Sequence, residues 1–180
     1  MTQFIPVVQD RLWQVEDLLP AAQAEEIVAT AWFALTQEPG PANLDHRRQI
    51  AWSDTTALRY SEYINQCLPE INQALGTEFK SMGGHFWIDL PGFRCDLHTD
   101  GELANSMQVY WTVPGPDYGT GFYYFKDPEQ LLYQFRSTPN SGYIMLNHPN
   151  PDGSQPLQWH AMLNPVPAGT IRVTSYWYFN

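Results

Sequence analysis

Beyond Gly83-Gly84 the apolar residues of this chain recur at every second position, in short runs broken by turn residues, through to residue 180. HFWIDL, RCDLHTD, SMQVYWTV, GFYYF, GYIML, LQWHAML and TIRVTSYWYF read as seven strands, separated by PG, PGP, PN and PAG. Successive side chains of a strand point to opposite faces, so a period of two asks for sheets with a face in a core. Seven or eight short strands after two helices predict a mainly β fold with α. The expected form is an antiparallel double sheet, a jelly roll, flanked by N-terminal helices on one outer face. An aromatic share of 14% suits this, since large rings fit a pleated, half-buried surface.

The front of the chain carries the helical period instead. Ala24, Ile27, Val28, Ala31, Trp32 and Leu35 follow Pro20, which suits a first helical turn, and the pattern stops at EPGP, residues 38–41. Leu58, Tyr60, Ile64, Cys67, Leu68, Ile71 and Leu75 form a second stripe closed by Gly76, and Pro69 inside it predicts a kink or two short helices. With no linker or repeat visible, residues 1–180 are expected to form one domain, a helical front to about 80 and a roll from about 82.

Nine basic against nineteen acidic residues give a formal charge of −10, which repels phosphate backbones and disfavours nucleic acid as a partner. Cys67 and Cys95 are too few for a disulfide framework and read as reduced thiols in or near the core. MTQFIPVVQDRLWQ lacks a basic start followed by an apolar run, and no apolar stretch approaches the ~18 residues of a membrane helix. The expected setting is the cytoplasm, without membrane contact.

Chemistry concentrates in LHTD, residues 97–100, where strand alternation projects His98 and Asp100 together. His160, in LQWHAML, follows 60 positions after Asp100 on another expected strand. Two histidines and one carboxylate with open positions remaining are the arrangement of non-haem iron(II) oxygenases. Twelve positions after His160 comes Arg172. In IRVTSYWYF, Ile171, Val173, Ser175, Trp177 and Phe179 share one face, and Arg172, Thr174 and Tyr176 the other. An arginine on an inward face needs an anion, and its planar fork fits a carboxylate, with Thr174 as a further donor.

The order HTD, a YxxxP strand, GTGFYYF, SGYIML, WHxxxxPV and GxxRVT, from roughly Met82 to Asn180, resembles the 2-oxoglutarate and iron(II)-dependent dioxygenases. Within them it is most similar to the prolyl-hydroxylase-like branch, and WQVEDLLPAAQAEEIV looks like the strand-then-helix entrance of those enzymes. The resemblance implies a double-stranded β-helix with iron(II) held by His98, Asp100 and His160. It implies 2-oxoglutarate held at its distal carboxylate by Arg172 with Thr174 and Tyr110, and O2 as the other co-substrate. Halogenating relatives give up the carboxylate, so Asp100 implies hydroxylation. The implied substrate is a prolyl-type residue of a peptide or protein, a free amino acid or another small molecule. Two departures accompany the resemblance. HFWIDLPG lacks the tyrosine often found before PG, leaving Trp87 or Phe86 to fill its place, and the interval from His160 to Arg172 is at the long end.

The remaining candidates are assigned peripheral roles. His85 reads as a structural or rim residue, His148 as a loop residue at the mouth, and His46-Arg47-Arg48 as a solvated basic loop that could also touch an anionic substrate. Residues 37–56 and 114–141 are expected to frame the mouth with Trp52, Tyr118, Tyr133 and Phe135. Two other readings exist. A non-catalytic jelly-roll binding or structural protein would carry HxD by descent or chance. A cupin-type metalloenzyme without 2-oxoglutarate would leave Arg172 unexplained, and its usual HxH string is absent.

Overall fold

The computed structural model describes residues 2–35, 43–50, 54–100, 105–147 and 159–180. Along the chain run β1 (Gln3–Val8), β2 (Leu12–Glu16), α1 (Ala21–Leu35), β3 (Asn43–Leu44), β4 (Arg47–Gln49), α2 (Asp54–Asn65) and α3 (Leu68–Leu75). They are followed by β5 (Met82–Asp89), β6 (Cys95–His98), β7 (Ser106–Thr112), β8 (Gly121–Tyr123), β9 (Leu131–Gln134), β10 (Ser141–Met145), β11 (Trp159–Met162) and β12 (Arg172–Phe179).

All of these strand pairings are antiparallel. One sheet has the order β1-β2-β10-β7-β12-β5-β4-β3 and the other β6-β11-β8-β9, a mainly β sandwich consistent with a jelly roll. Their facing sides meet in an aromatic cluster that joins Tyr110 and Tyr143 of the large sheet to Phe122 and Phe135 from the small one and its flank. On the outer side of the large sheet, Phe86, Met107, Val109, Val173 and Trp177 pack with Ile27, Ile64 and Ile71 of the helices. The Ser175 hydroxyl oxygen accepts hydrogen bonds from two buried indoles, Trp111 at 2.9 Å and Trp177 at 2.7 Å.

The second helical stripe divides as Pro69 requires. The α2 helix ends at Asn65, α3 restarts with proline in its first turn, and Gly76 closes it in the left-handed region at φ 68°. Tyr60, Ile64, Leu68 and Ile71 are buried, but Leu58 is 64% exposed and lies off the stripe. Pro20 stands just before α1 and accepts from its first amides with its carbonyl. The side chains of Trp32 and Leu35 lie outside the described residues. Asn140 ties the helix entrance to the sheet, donating to the Leu19 carbonyl at 2.7 Å and accepting from the Leu19 amide at 3.0 Å.

The front is not purely helical. The β1–β2 hairpin extends the large sheet beyond β10, and the β3–β4 hairpin extends it beyond β5. Neither edge hairpin has a strict apolar alternation, because edge strands bury less than central ones. The same reason hid β9, LLYQ, whose burial runs from exposed to half-buried.

Between β10 and β7 the backbones approach so closely that a side chain at Gly142 would place its Cβ 1.9 Å from the Gln108 carbonyl oxygen. That neighbour is backbone of a central strand and cannot swing away. Gly142→Ala is therefore expected to destabilise by about 3 kcal/mol or more. Gly83→Ala, with nothing within 4 Å of the added atom, should change stability by less than about 1 kcal/mol. Urea unfolding of the two variants checks this, and equal midpoints would refute the close approach.

Candidate metal centre and its pocket

The turn Leu90-Pro91-Gly92-Phe93 carries the chain from one sheet to the other. Proline sits at its second position, Gly92 takes φ 89°, and the Phe93 amide donates to the Leu90 carbonyl at 3.0 Å. It delivers β6 to the edge of the small sheet, where His98 lies directly opposite His160 of β11. Their ring centroids are 4.3 Å apart. Asp100, just past the end of β6, places its two oxygens 3.5 Å from His98 Nε2 and 3.3 Å from His160 Nε2. One ligand atom from each of the three residues lies within 4.8 Å of the others, so the structure brings the expected trio together.

The surroundings orient each member. The Asp96 carbonyl, 2.7 Å from His98 Nδ1, only accepts, so Nδ1 carries a proton and Nε2 is turned toward Asp100. Phe122 stacks against His160 at 5.5 Å. Tyr176 donates its hydroxyl proton to Asp100 Oδ2, which leaves Oδ1 as the less committed oxygen. The Asp100 contact, then Cys95, pushes the His98 imidazole up to about 10. Burial pushes the Asp100 carboxyl up, but bonds from His160, His98 and Tyr176 outweigh it and hold the group well below the usual carboxylate range. Burial, then the Asp100 charge, drives the Tyr176 phenol far upward, so it stays a donor.

These groups line a cavity of about 140 Å³ whose far wall includes Arg172. Arg172 is 1% exposed, and its side chain already holds partners from the chain itself. Its Nε donates to Asp89 Oδ2 at 2.8 Å, its Nη2 lies 2.8 Å from the same oxygen, and its Nη1 donates to the Tyr118 carbonyl at 2.9 Å. Thr174, two residues on, is fully buried and its hydroxyl has no partner among the described residues. Tyr110 stands one layer back. Its hydroxyl donates to Thr120 Oγ1 at 3.0 Å and accepts from the Thr120 amide at 2.9 Å, while Thr120, Gln108 and Tyr143 face the cavity.

Several peripheral residues take other places than expected. Arg47 is not a solvated loop residue. It lines the cavity and binds Asp89 through Nε at 2.5 Å, because β4 pairs with β5 and puts Arg47 opposite Asp89. Phe135 is fully buried and Tyr133 packs beside it in the inter-sheet cluster, so neither frames the mouth. Trp87 and His85 do line the cavity, with Tyr176 and Tyr178 beside them. Phe86 points to the helices, so Trp87 fills the place before the turn. Burial, then Arg47, lowers the His85 pKa and favours the neutral ring. His46 forms the tight β3–β4 turn at φ 61°. Cys67 and Cys95 are free thiols, Cys67 pushed up to about 11 by burial. Trp52 and His148 lie outside the described residues.

Strand parity could have found Tyr176 and Trp87, which share faces with Thr174 and Asp89 respectively. Nothing local marks Arg47, whose role rests on a pairing between strands about 40 residues apart.

No protein-family model and no curated protein matches the chain. Solved structures do. A Pseudomonas putida prolyl-4-hydroxylase is 16% identical with TM-score 0.62, covering 94% of this chain and 91% of that one. The collagen prolyl hydroxylase of Paramecium Bursaria Chlorella virus-1, solved as a 2-oxoglutarate complex, is 12% identical with TM-score 0.60, covering 94% of each. HygX from Streptomyces hygroscopicus, solved with nickel, 2-oxoglutarate and hygromycin B, is 8% identical with TM-score 0.63, covering 95% of this chain and 83% of that one. At these identities the likeness is one of fold, and the chain has the fold of these prolyl hydroxylases and 2-oxoglutarate-binding proteins.

Proposed function

We propose that this protein is an iron(II)- and 2-oxoglutarate-dependent dioxygenase of the prolyl-hydroxylase-like branch, and that residues 1–180 form one such domain. The observation that carries the reading is the convergence of His98, Asp100 and His160, with ligand atoms within 4.8 Å, on a cavity that also contains a buried arginine. Helices and large sheet share one core, in keeping with a single domain. The chain alternates between β5-β12-β7-β10 and β6-β11-β8-β9, which supports a double-stranded β-helix as the finer description of the roll.

The donor set fits the cofactor: two imidazoles and one carboxylate suit iron(II) while leaving coordination positions for other ligands. The buried Thr174 hydroxyl, two residues from Arg172 and without a partner among the described residues, fits a ligand acceptor, since an orphan buried polar group is costly. When bound, iron with 2-oxoglutarate and O2 supplies an oxidation that converts a substrate C–H bond to an alcohol. The chain's own residues position the participants. His98, Asp100 and His160 hold the metal, with Tyr176 steadying Asp100 by its hydrogen bond. Arg172 and Thr174 receive the distal carboxylate of 2-oxoglutarate, with Tyr110 behind them as a support through Thr120. His85, Trp87 and Tyr178 form an aromatic wall beside the place of the reacting carbon.

For the substrate we favour a prolyl-type residue of a peptide or protein, with a free amino acid or another small molecule as the wider class. Ring walls suit apolar or proline-containing ligands, and a charge of −10 disfavours duplex nucleic acid. No helix among the described residues is long and apolar enough to cross a membrane. A cytoplasmic setting belongs to the same proposal.

The enzyme is expected to form succinate from 2-oxoglutarate only with iron(II) present, and proline-containing peptides should stimulate it more than free proline or methylated oligonucleotides. Stimulation by oligonucleotide alone would exclude the substrate reading. Asp100→Ala should abolish metal binding and leave the circular dichroism spectrum unchanged. Arg172→Ala should raise the 2-oxoglutarate requirement at least about tenfold, since hydrogen bonds to a charged group are worth roughly 1.5–3 kcal/mol. A titration like that of the wild type would place the carboxylate elsewhere.

Metal must also displace the proton that Asp100 and Cys95 stabilise on His98. Because that group titrates near 10, metal affinity should rise as pH rises toward that value and fall as pH drops. Calorimetry in buffers of different ionisation enthalpy should find proton release on metal binding at neutral pH. Binding without proton release would contradict the protonated His98.

A further inference from the structure

Asp89, on β5, is completely buried and stands directly opposite an arginine on either side: Arg47 of β4 and Arg172 of β12. Arg47 reaches Oδ1 through Nε at 2.5 Å and Oδ2 through Nη2 at 3.3 Å. Arg172 takes Oδ2 through Nε and Nη2, both at 2.8 Å. Among the described residues no second carboxylate pairs with either guanidinium. Two cations around one anion leave a net charge of +1 facing the cavity that both arginines line.

That surplus charge has a direct bearing on ligand binding. Were Asp89 paired with Arg172 alone, the pair would be neutral and would attract a further carboxylate only weakly. By holding both oxygens of Asp89, Arg47 leaves the row of three with a full unit of attraction, in a setting of low dielectric. Arg47 is itself fixed by the faces of two rings, its Cζ lying 4.1 Å from the Phe93 centroid and 5.1 Å from that of Trp87. Five N–H donors are available on Arg172, and those not turned to Asp89 and the Tyr118 carbonyl remain for an incoming anion.

We propose that Arg47, Asp89 and Arg172 together form a receptor for one carboxylate, in which Arg47 is a positioning residue that keeps Arg172 from being neutralised by Asp89. The inference rests on the function proposed above and names the carboxylate as the distal one of 2-oxoglutarate. Arg47 acts on charge at the site through Asp89.

The test measures 2-oxoglutarate binding by anaerobic calorimetry on the 180-residue chain loaded with nickel(II), so that no turnover is needed. Arg47→Gln should weaken 2-oxoglutarate at least about tenfold, because it removes the surplus unit charge. Nickel affinity should stay within about threefold, since Arg47 touches no metal-binding side chain. Adding Asp89→Asn to Arg47→Gln restores a net +1 and should bring affinity back to within about threefold of wild type. Rescue of this kind is not expected of a merely structural contact. Unchanged binding in Arg47→Gln, or failure of the double variant to recover, overturns the inference. If Arg47→Gln does not fold, Arg47→Lys carries the test alone: charge kept should mean affinity kept, and a tenfold loss overturns the proposal. A wild type that takes up nickel but no 2-oxoglutarate overturns the functional reading as well, whereas wild-type binding with an indifferent Arg47→Gln overturns only this inference.

Discussion

Strand β12 is paired along its length with β5 on one side and β7 on the other, and a strand held on both edges cannot slip by one residue without turning every side chain to the wrong face. Val173, Ser175, Trp177 and Phe179 belong to the face that packs on the helices, while Arg172, Tyr176 and Tyr178 line the cavity between the sheets and Thr174 shares their strand face. The outer face is stabilised by burial of Trp177 and by the Ser175 oxygen that satisfies two indole N–H groups. The inner face spends that stability. It holds a buried cation paired with Asp89, a hydroxyl with no partner among the described residues and a phenol bound to a carboxylate.

The inner surface is graded along the strand direction. At one end the row Arg47, Asp89 and Arg172 crosses three neighbouring strands, and farther along Tyr176 reaches Asp100. The trio of His98, Asp100 and His160 sits on the opposite sheet, where the β6–β11 register sets His98 against His160. A small cavity lies between the two, so a ligand that touches both the trio and Arg172 must span the gap between sheets.

Much of this was legible beforehand because strand parity is a local rule. His98 and Asp100 are two apart, and Arg172 and Thr174 are two apart, so their shared faces follow from the backbone alone. The break at Pro69 and the stop at Gly76 were legible for the same reason, since ring closure and a missing Cβ act on the residue itself. His160 entered through its residue type on another expected strand, and the resemblance then gave the three residues and Arg172 their roles. What stayed hidden depends on partners distant in the chain. Tyr133 and Phe135 look like mouth aromatics in sequence, yet β8–β9 pairing turns them into the inter-sheet core. Of the edge strands only β2 was read, through the resemblance at WQVE; β1, β3 and β4 escaped notice because strands that bury little need little apolar alternation.

The amino-acid sequence by itself determined the class of structure, the sites of chain reversal and which side chains share a strand face, because those follow from backbone geometry and local sterics. Only the tertiary structure decided which faces look at one another. It set Arg47 against Asp89 across 42 positions and Arg172 against the same carboxylate across 83. Charge balance in a buried pocket is a sum over neighbours in space. A run reading HRRQ carries no mark of whether its arginine ends in water or against a buried carboxylate. The β4–β5 register settled that, by setting Arg47 opposite Asp89.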